Sequence, residues 1–243
     1  MSSPARVGSG PSVLGTCVRL LTFRSSHDEL LALDRRHLVF GIVLTWLVGV
    51  GRTWDDPRVA FARKLGLGSV AYVFVLAAVL WLIVAPVRTP ATSRVSYRTL
   101  LTFVTLTAPP AALYAIPVER WFSVDTAIDV NLVLLAVVAC WRVALLAFFL
   151  SRAVGLRPYA LVVTTLAPLA LVVSALTFLR LAEGAIVFMA DLRERRPDDG
   201  VNWVLLNLTA ISIFAALPLV IAYAWLAWHS RRLRVQGSTT TRG

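Results

Sequence analysis

Lysine is almost absent from this chain: of 24 basic residues in 243, Lys64 is the single lysine, and charged residues make up only 15% of the total. Two cysteines, Cys17 and Cys140, lie too far apart to form a disulfide framework or a paired metal-binding spacing. The three histidines, His27, His37 and His229, match no zinc pattern. There is no HExxH, no phosphate-binding glycine loop, no G-x-S-x-G elbow and no pair of intramembrane aspartates. Common ATPase, zinc-protease and serine-hydrolase mechanisms are therefore without support, and no cofactor or metal is expected. The first 37 residues carry charges throughout and no apolar core followed by a small-residue cleavage site, so the first hydrophobic block is expected to act as the insertion signal.

What the chain has in excess is apolar surface. Hydrophobic residues make up 58%, and they fall into long blocks separated by short charged stretches. A soluble core would spread them as an amphipathic pattern. Lipid is the partner this distribution implies. The net charge of +11 has arginines in the gaps between blocks and not on one basic face, which argues for membrane topology and against nucleic acid.

The expected fold is all-α: a polytopic transmembrane bundle of about six membrane helices, at 38–51, 65–87, 99–118, 130–150, 159–179 and 204–228. Each holds close to the ~20 residues a span requires, except the first. That block has 14 residues, about 21 Å at ~1.5 Å per residue, against a hydrocarbon core of roughly 30 Å. It spans only if Arg36, His37 and Arg52 snorkel or the bilayer thins. Residues 1–11 read as a disordered Ser/Gly/Pro segment, 12–37 as interfacial amphipathic helices, and 229–243 as a basic cytoplasmic tail. Within 12–37, Leu14, Cys17, Val18 and Leu21 share a helical face, and Ser26 with Glu29 forms a capping box ahead of a second helix. With six spans and a cytoplasmic N-terminus, 14 basic residues lie inside and nine outside. If the first block does not cross, the division is again 14 to nine, and only the side of the C-terminus changes.

Arg142 is the one basic residue deep inside a block, and such a charge costs roughly 2.5 to 3.5 kcal/mol near the bilayer centre. The third block offers it partners. Pro109 and Pro110 have no N–H and so free the carbonyls of Thr105 and Leu106. Arg142 is expected to donate to these and to the hydroxyl of Thr102 or Thr105, pinning the third and fourth helices together. The same polar group could instead hold an anion or substrate. Asp55 and Asp56, in the loop GRTWDDPRVAFARK, read as a cation site or as a cap, with Asp56 preceding Pro57 at the first helical position. Glu119 and Glu183 flank blocks and are the candidate carboxylates for a membrane-embedded enzyme.

The segments FRSSHDELLALDRRHLVFG, TWLVGVGRTWDDPR, LGLGSVAYVFVLA and YRTLLTFVTLTAPPAALYAIPVERW resemble a family of uncharacterised bacterial polytopic inner-membrane proteins. The resemblance implies a multi-pass protein of the bacterial inner membrane and brings no assigned activity. In layout, a charged N-terminus followed by a span and a later proline-centred span is similar to Yip1-type membrane proteins. The sixth block and the short first block depart from that plan. Three functions follow as expectations: a non-enzymatic scaffold binding other membrane proteins or itself; a small-solute transporter or channel using Arg142 with Thr99, Thr102 and Thr105; or an enzyme using Glu119 and Glu183.

Overall fold

The computed structural model describes residues 12–52, 64–87, 95–178 and 199–239, and for 119, 124–125, 175–178, 199–206 and 233–239 the backbone alone. Among the described residues all regular structure is helical. The elements are α1 (Val13–Leu21), α2 (His27–Leu31), α3 (Arg35–Gly51), α4 (Leu67–Val87), α5 (Tyr97–Leu106), two 3-10 segments (Pro109–Ala115 and Val118–Arg120), α6 (Val124–Arg152), α7 (Pro158–Phe178) and α8 (Asp199–Thr239). Three stretches are long and apolar enough to cross a membrane: Leu67–Val87, Thr126–Arg152 and Asn207–Arg232. A shorter apolar one runs over Pro158–Ser174.

Local chemistry sets the helix starts. Ser26 and Glu29 form the reciprocal capping box of α2, with the Glu29 N–H on Ser26 Oγ and the Ser26 N–H on Glu29 Oε2, both 3.2 Å. Asp34 caps α3 by accepting from the N–H groups of Arg36 (2.9 Å) and His37 (3.2 Å). This cap explains why α3 begins at Arg35, before the first apolar residue. Its 17 residues measure about 26 Å, still short of a full hydrocarbon core. At the other end of the connection, Gly66 (φ +66°) takes the left-handed conformation in which glycine meets no steric penalty. A Cβ there would sit 2.8 Å from the Val50 N and 2.9 Å from the Trp46 carbonyl oxygen. The indole N–H of Trp46 closes the turn onto the Leu65 carbonyl at 2.8 Å.

The Asp34 carboxyl is held below its ordinary range, chiefly by the hydrogen bond from the His37 side chain and then by the His37 and Arg36 N–H groups. A lowered folded-state value means that the cap is fully present above the unfolded aspartate value of about 3.9 and is lost only as pH falls through the lower one. The protection factors of the Arg36 and His37 amides, corrected for the pH dependence of intrinsic exchange, should therefore hold down to about pH 4 and fall below it, and Asp34→Ala should remove this acid-dependent step.

Packing follows residue size. α3 carries Gly41, Thr45 and Gly49 on one buried stripe with four-residue spacing, which lets neighbouring backbones approach closely. Gly41 meets Thr105 of α5, Gly49 meets Ser69 of α4, and Gly51 meets Ala115 of the first 3-10 segment. α4 therefore returns antiparallel to α3, whereas the chain from Thr105 to Ala115 follows α3 in the same sense. α5 is the centre of the structure: Thr99 through Leu106 are all buried, whichever face they occupy. α8 packs along α7 and α4 and turns its other side outward, with Phe214 82% and Leu217 69% exposed.

The third apolar block departs from a continuous helix. α5 stops at Leu106, Thr107 and Ala108 break it, and Pro109 opens a 3-10 turn. The cause is backbone chemistry, because two successive prolines remove the two N–H groups that the next α-helical turn would need. The helix of the fourth block starts six residues earlier than its apolar stretch, at Val124. The last block lies inside a helix of 41 residues that continues beyond both ends of its apolar stretch. In α1, Thr16, Cys17 and Leu20 are buried against the bundle while Leu14 and Val18 face outward.

Candidate functional site

The break after α5 leaves carbonyls without helical partners, and in an apolar interior each such group costs roughly 1 to 3 kcal/mol if it stays unbonded. Donors from three separate elements meet them. The Thr45 hydroxyl of α3 donates to the Thr105 carbonyl at 3.4 Å, while also bonding its own helix at the Gly41 carbonyl (2.9 Å). The Cys17 thiol of α1 lies 3.8 Å from the Leu106 carbonyl, a weak sulfur donor on a soft contact. Arg142 of α6 donates its Nε–H to the Thr107 carbonyl at 3.3 Å. Three consecutive carbonyls at a broken helix are thus met by an alcohol, a thiol and a guanidinium.

This arrangement corrects the expected partners of Arg142. The freed Thr105 carbonyl also receives the Ala108 N–H within its own chain, at 3.2 Å, because the helix closes early into a 3-10 turn. The arginine engages Thr107 instead, one and two residues beyond the expected acceptors. Nor do the threonine hydroxyls turn toward it: Thr102 bonds the Arg98 carbonyl (2.8 Å), Thr105 the Thr102 carbonyl (2.9 Å) and Thr107 the Val104 carbonyl (2.7 Å). Thr99 bonds the hydroxyl of Ser96 at 3.0 Å. Arg142 accordingly ties α6 to the junction beyond α5, and not to the helix itself.

Around the guanidinium of Arg142 stand Tyr72 of α4, Tyr114 of the first 3-10 segment and Arg52, the C-cap of α3, all within electrostatic range. Arg52 stacks over the Tyr114 ring at 5.5 Å. The four residues come from four elements, so the cluster exists only in the assembled fold.

The N-terminal helices are clamped onto the same region. The Trp141 indole N–H donates to the Leu21 carbonyl at 3.1 Å, the Phe23 and Phe148 rings meet edge to face at 5.7 Å, and His27 Nδ1 lies 2.6 Å from the Arg152 carbonyl that ends α6. An acceptor on that carbonyl requires His27 to carry its proton on Nδ1. Arg19 and Glu29 join α1 to α2 at 3.1 Å.

Burial raises the Cys17 thiol above its ordinary range. Cys140 is exposed on α6. Cys17 should therefore resist a maleimide in detergent until denaturant opens the N-terminal clamp, as followed by peptide mass spectrometry. Rapid modification of Cys17 without denaturant would contradict the docked position of α1.

Of the other candidates, Asp55, Asp56 and Glu183 lie outside the described residues. Glu119 falls in the second 3-10 segment with its side chain outside the description. The structure thus brings together Arg142, Thr105 and the turn imposed by Pro109 and Pro110, and it leaves Thr102 bonded within its own helix. Thr45, Cys17, Arg52, Tyr72 and Tyr114 were not anticipated as members. Only Thr45 carried a readable signal, midway between Gly41 and Gly49 on the small-residue stripe. Among the described residues no group of three or more His, Cys, Asp or Glu side chains could hold a metal ion. Comparison with protein-family models, with curated proteins and with solved structures finds no match for this chain.

Proposed function

We propose that the chain is a non-enzymatic integral membrane protein that crosses the bilayer six times and acts as a scaffold or partner-binding protein through its outer helix faces. The crossings are α3, α4, α5 with the 3-10 segment after it, α6, α7 and α8. The third is discontinuous: ten α-helical and seven 3-10 residues amount to about 15 and 14 Å of rise, close to the ~30 Å of a hydrocarbon core. Irregular backbone at membrane depth is tolerated where protein buries it, as α1, α3 and α6 do here. The excess of arginine in the segments on the N-terminal side supports a cytoplasmic N-terminus, and the sequence resemblance supports a bacterial inner membrane and, in layout, a Yip1-like plan.

One observation carries the scaffold reading. Of the hydroxyls expected to serve a solute pathway, those of Thr102 and Thr105 are spent on main-chain carbonyls and that of Thr99 on the Ser96 hydroxyl. A polar junction bonded in this way holds helices together and offers a passing solute little. The large apolar side chains that α8 turns outward supply contact area for lipid or for other membrane proteins. A second reading, small-solute transport with a site near Arg142, draws on the two guanidinium groups that converge beside Tyr114. Reconstitution into liposomes separates them. The scaffold reading expects anion and small-solute flux equal to that of protein-free vesicles, together with discrete crosslinked adducts from a photoreactive residue at Phe214 in native membranes. Flux that depends on Arg142 would overturn it.

A further inference from the structure

Four buried threonines of this protein share one habit. Thr45, Thr102, Thr105 and Thr107 turn their hydroxyls back onto main-chain carbonyls three or four residues earlier, on Gly41, Arg98, Thr102 and Val104, at 2.7 to 2.9 Å. Such a back-bond is how a helix satisfies an alcohol that bulk water does not reach.

Thr164 and Thr165 of α7 depart from it. They are 1% and 4% exposed, yet neither hydroxyl has a hydrogen-bond partner among the described residues. The carbonyls of Ala160 and Leu161, four residues earlier on the same helix, are the acceptors a back-bond would use. Both side chains forgo them.

The backbone adds a third polar group at the same place. Pro168 stands four residues after Thr164 and has no N–H, so the Thr164 carbonyl lacks the donor that a continuous α-helix would supply. Two hydroxyls and a carbonyl thus fall within one turn. They lie inside the helix and not at its end, since Thr164 comes six residues after Pro158, about 9 Å along α7. Ala160 and Ala167, roughly one turn to either side of Thr164 on the same stripe, are also buried and end in a single methyl, which leaves room beside the Thr164 hydroxyl.

Chemistry selects the occupant. Pro158–Phe178 contains no charged residue and no histidine, so nothing on α7 favours an ion. The three groups need a small molecule that accepts from hydroxyls and donates to a carbonyl. Water does both, makes about three such bonds when buried, and restores backbone groups freed by proline in membrane helices.

We propose that α7 holds ordered water at its proline break, bonded to the hydroxyls of Thr164 and Thr165 and to the Thr164 carbonyl. The site is separate from the Arg142 junction and does not depend on whether the protein is a scaffold or a transporter.

Valine has the shape of threonine without its hydroxyl, and the sign of its effect on the full chain in detergent reports whether that hydroxyl is bonded. A buried alcohol with no partner destabilises the fold, so its removal would raise the midpoint of thermal unfolding. A water-bonded alcohol stabilises it. The expected result is a midpoint lowered by about 2 to 4 °C in Thr164→Val, a fall also in Thr165→Val, and the same midpoints in sodium and choline buffers. A crystallographic or cryo-EM map fine enough to show water should hold a peak within about 3 Å of Thr164 Oγ1, which decides the matter if the valine variants do not fold. A raised midpoint in Thr164→Val, or such a map without the peak, would overturn the site. A midpoint that rises with sodium only in chains keeping both hydroxyls would overturn water in favour of a monovalent cation.

Discussion

Gly41→Leu is expected to abolish the folded bundle. A Cβ alone at this position would stand 2.8 Å from Thr105 Cβ, closer than real Cβ atoms come, and 3.1 Å from the Thr105 carbonyl carbon, a tight contact. Leucine adds three more carbons to a place already occupied by backbone, which does not move as a side-chain tip would. Overpacking costs about 1 to 3 kcal/mol where a core can shift. Here the neighbour is the last turn of a helix buried on every face. The substitution also forces apart α3 and α5, and with them the Thr45 bond to the Thr105 carbonyl. We expect a cost above about 3 kcal/mol, seen as loss of the monodisperse peak on size exclusion in detergent. Gly41→Ala should be milder, and pairing it with Thr105→Ala should recover part of the loss, because the collision with the Thr105 hydroxyl goes while the contacts with its Cβ and backbone stay. A strictly additive double mutant would show that the two residues do not touch.

Arg142→Met is the second large effect, and its sign depends on which terms survive subtraction. Losing a charge-assisted hydrogen bond costs about 1.5 to 3 kcal/mol, and leaving the Thr107 carbonyl unbonded in an apolar setting costs about 1 to 3 more. Against this stands the roughly 2.5 to 3.5 kcal/mol charge of placing arginine in the membrane. That charge is borne by the inserted but unassembled chain as well, where the side chain can snorkel, so little of it is returned on substitution. The unassembled chain also finds some replacement bonds for the carbonyl. A net destabilisation of about 2 kcal/mol follows from these terms, read as a lower midpoint of thermal unfolding in detergent. An unchanged or higher midpoint would mean that Arg142 is not a structural tie.

Much of the architecture is legible because lipid imposes a simple rule, that long apolar stretches become helices. α4 and α7 match their apolar blocks to within two residues where described. The rule fails at helix ends. α6 begins at Val124 and α3 at Arg35, since polar residues such as Asp129 and Arg36 continue a helix as readily as apolar ones. Hydropathy records where lipid is, not where hydrogen bonding stops.

The candidate site was half legible. The paired prolines announce freed carbonyls, but locating the acceptor of Arg142 by counting residues assumes an α-helix up to Pro109, and the chain tightens into a 3-10 turn two residues sooner. Cys17 shows the other limit. Its apolar face is plain from spacing, yet a helix resting on a membrane and one docked on a bundle have the same periodicity. α5 shows the same limit: in YRTLLTFVTL the threonines share one face and most apolar residues the other, and that protein covers both faces is not readable from such a pattern.

The six-crossing scaffold proposed for this protein turns on the broken third block crossing the bilayer with its open carbonyls held by α1, α3 and α6. Cysteines placed singly at Ser96, before α5, and at Trp121, after the second 3-10 segment, in a Cys140→Ser background, measure this when probed with a membrane-impermeant maleimide. The account predicts that Trp121→Cys is labelled in intact cells and Ser96→Cys only after permeabilisation. Labelling of both positions from the same side would show that the block enters and leaves by one face, and would contradict it.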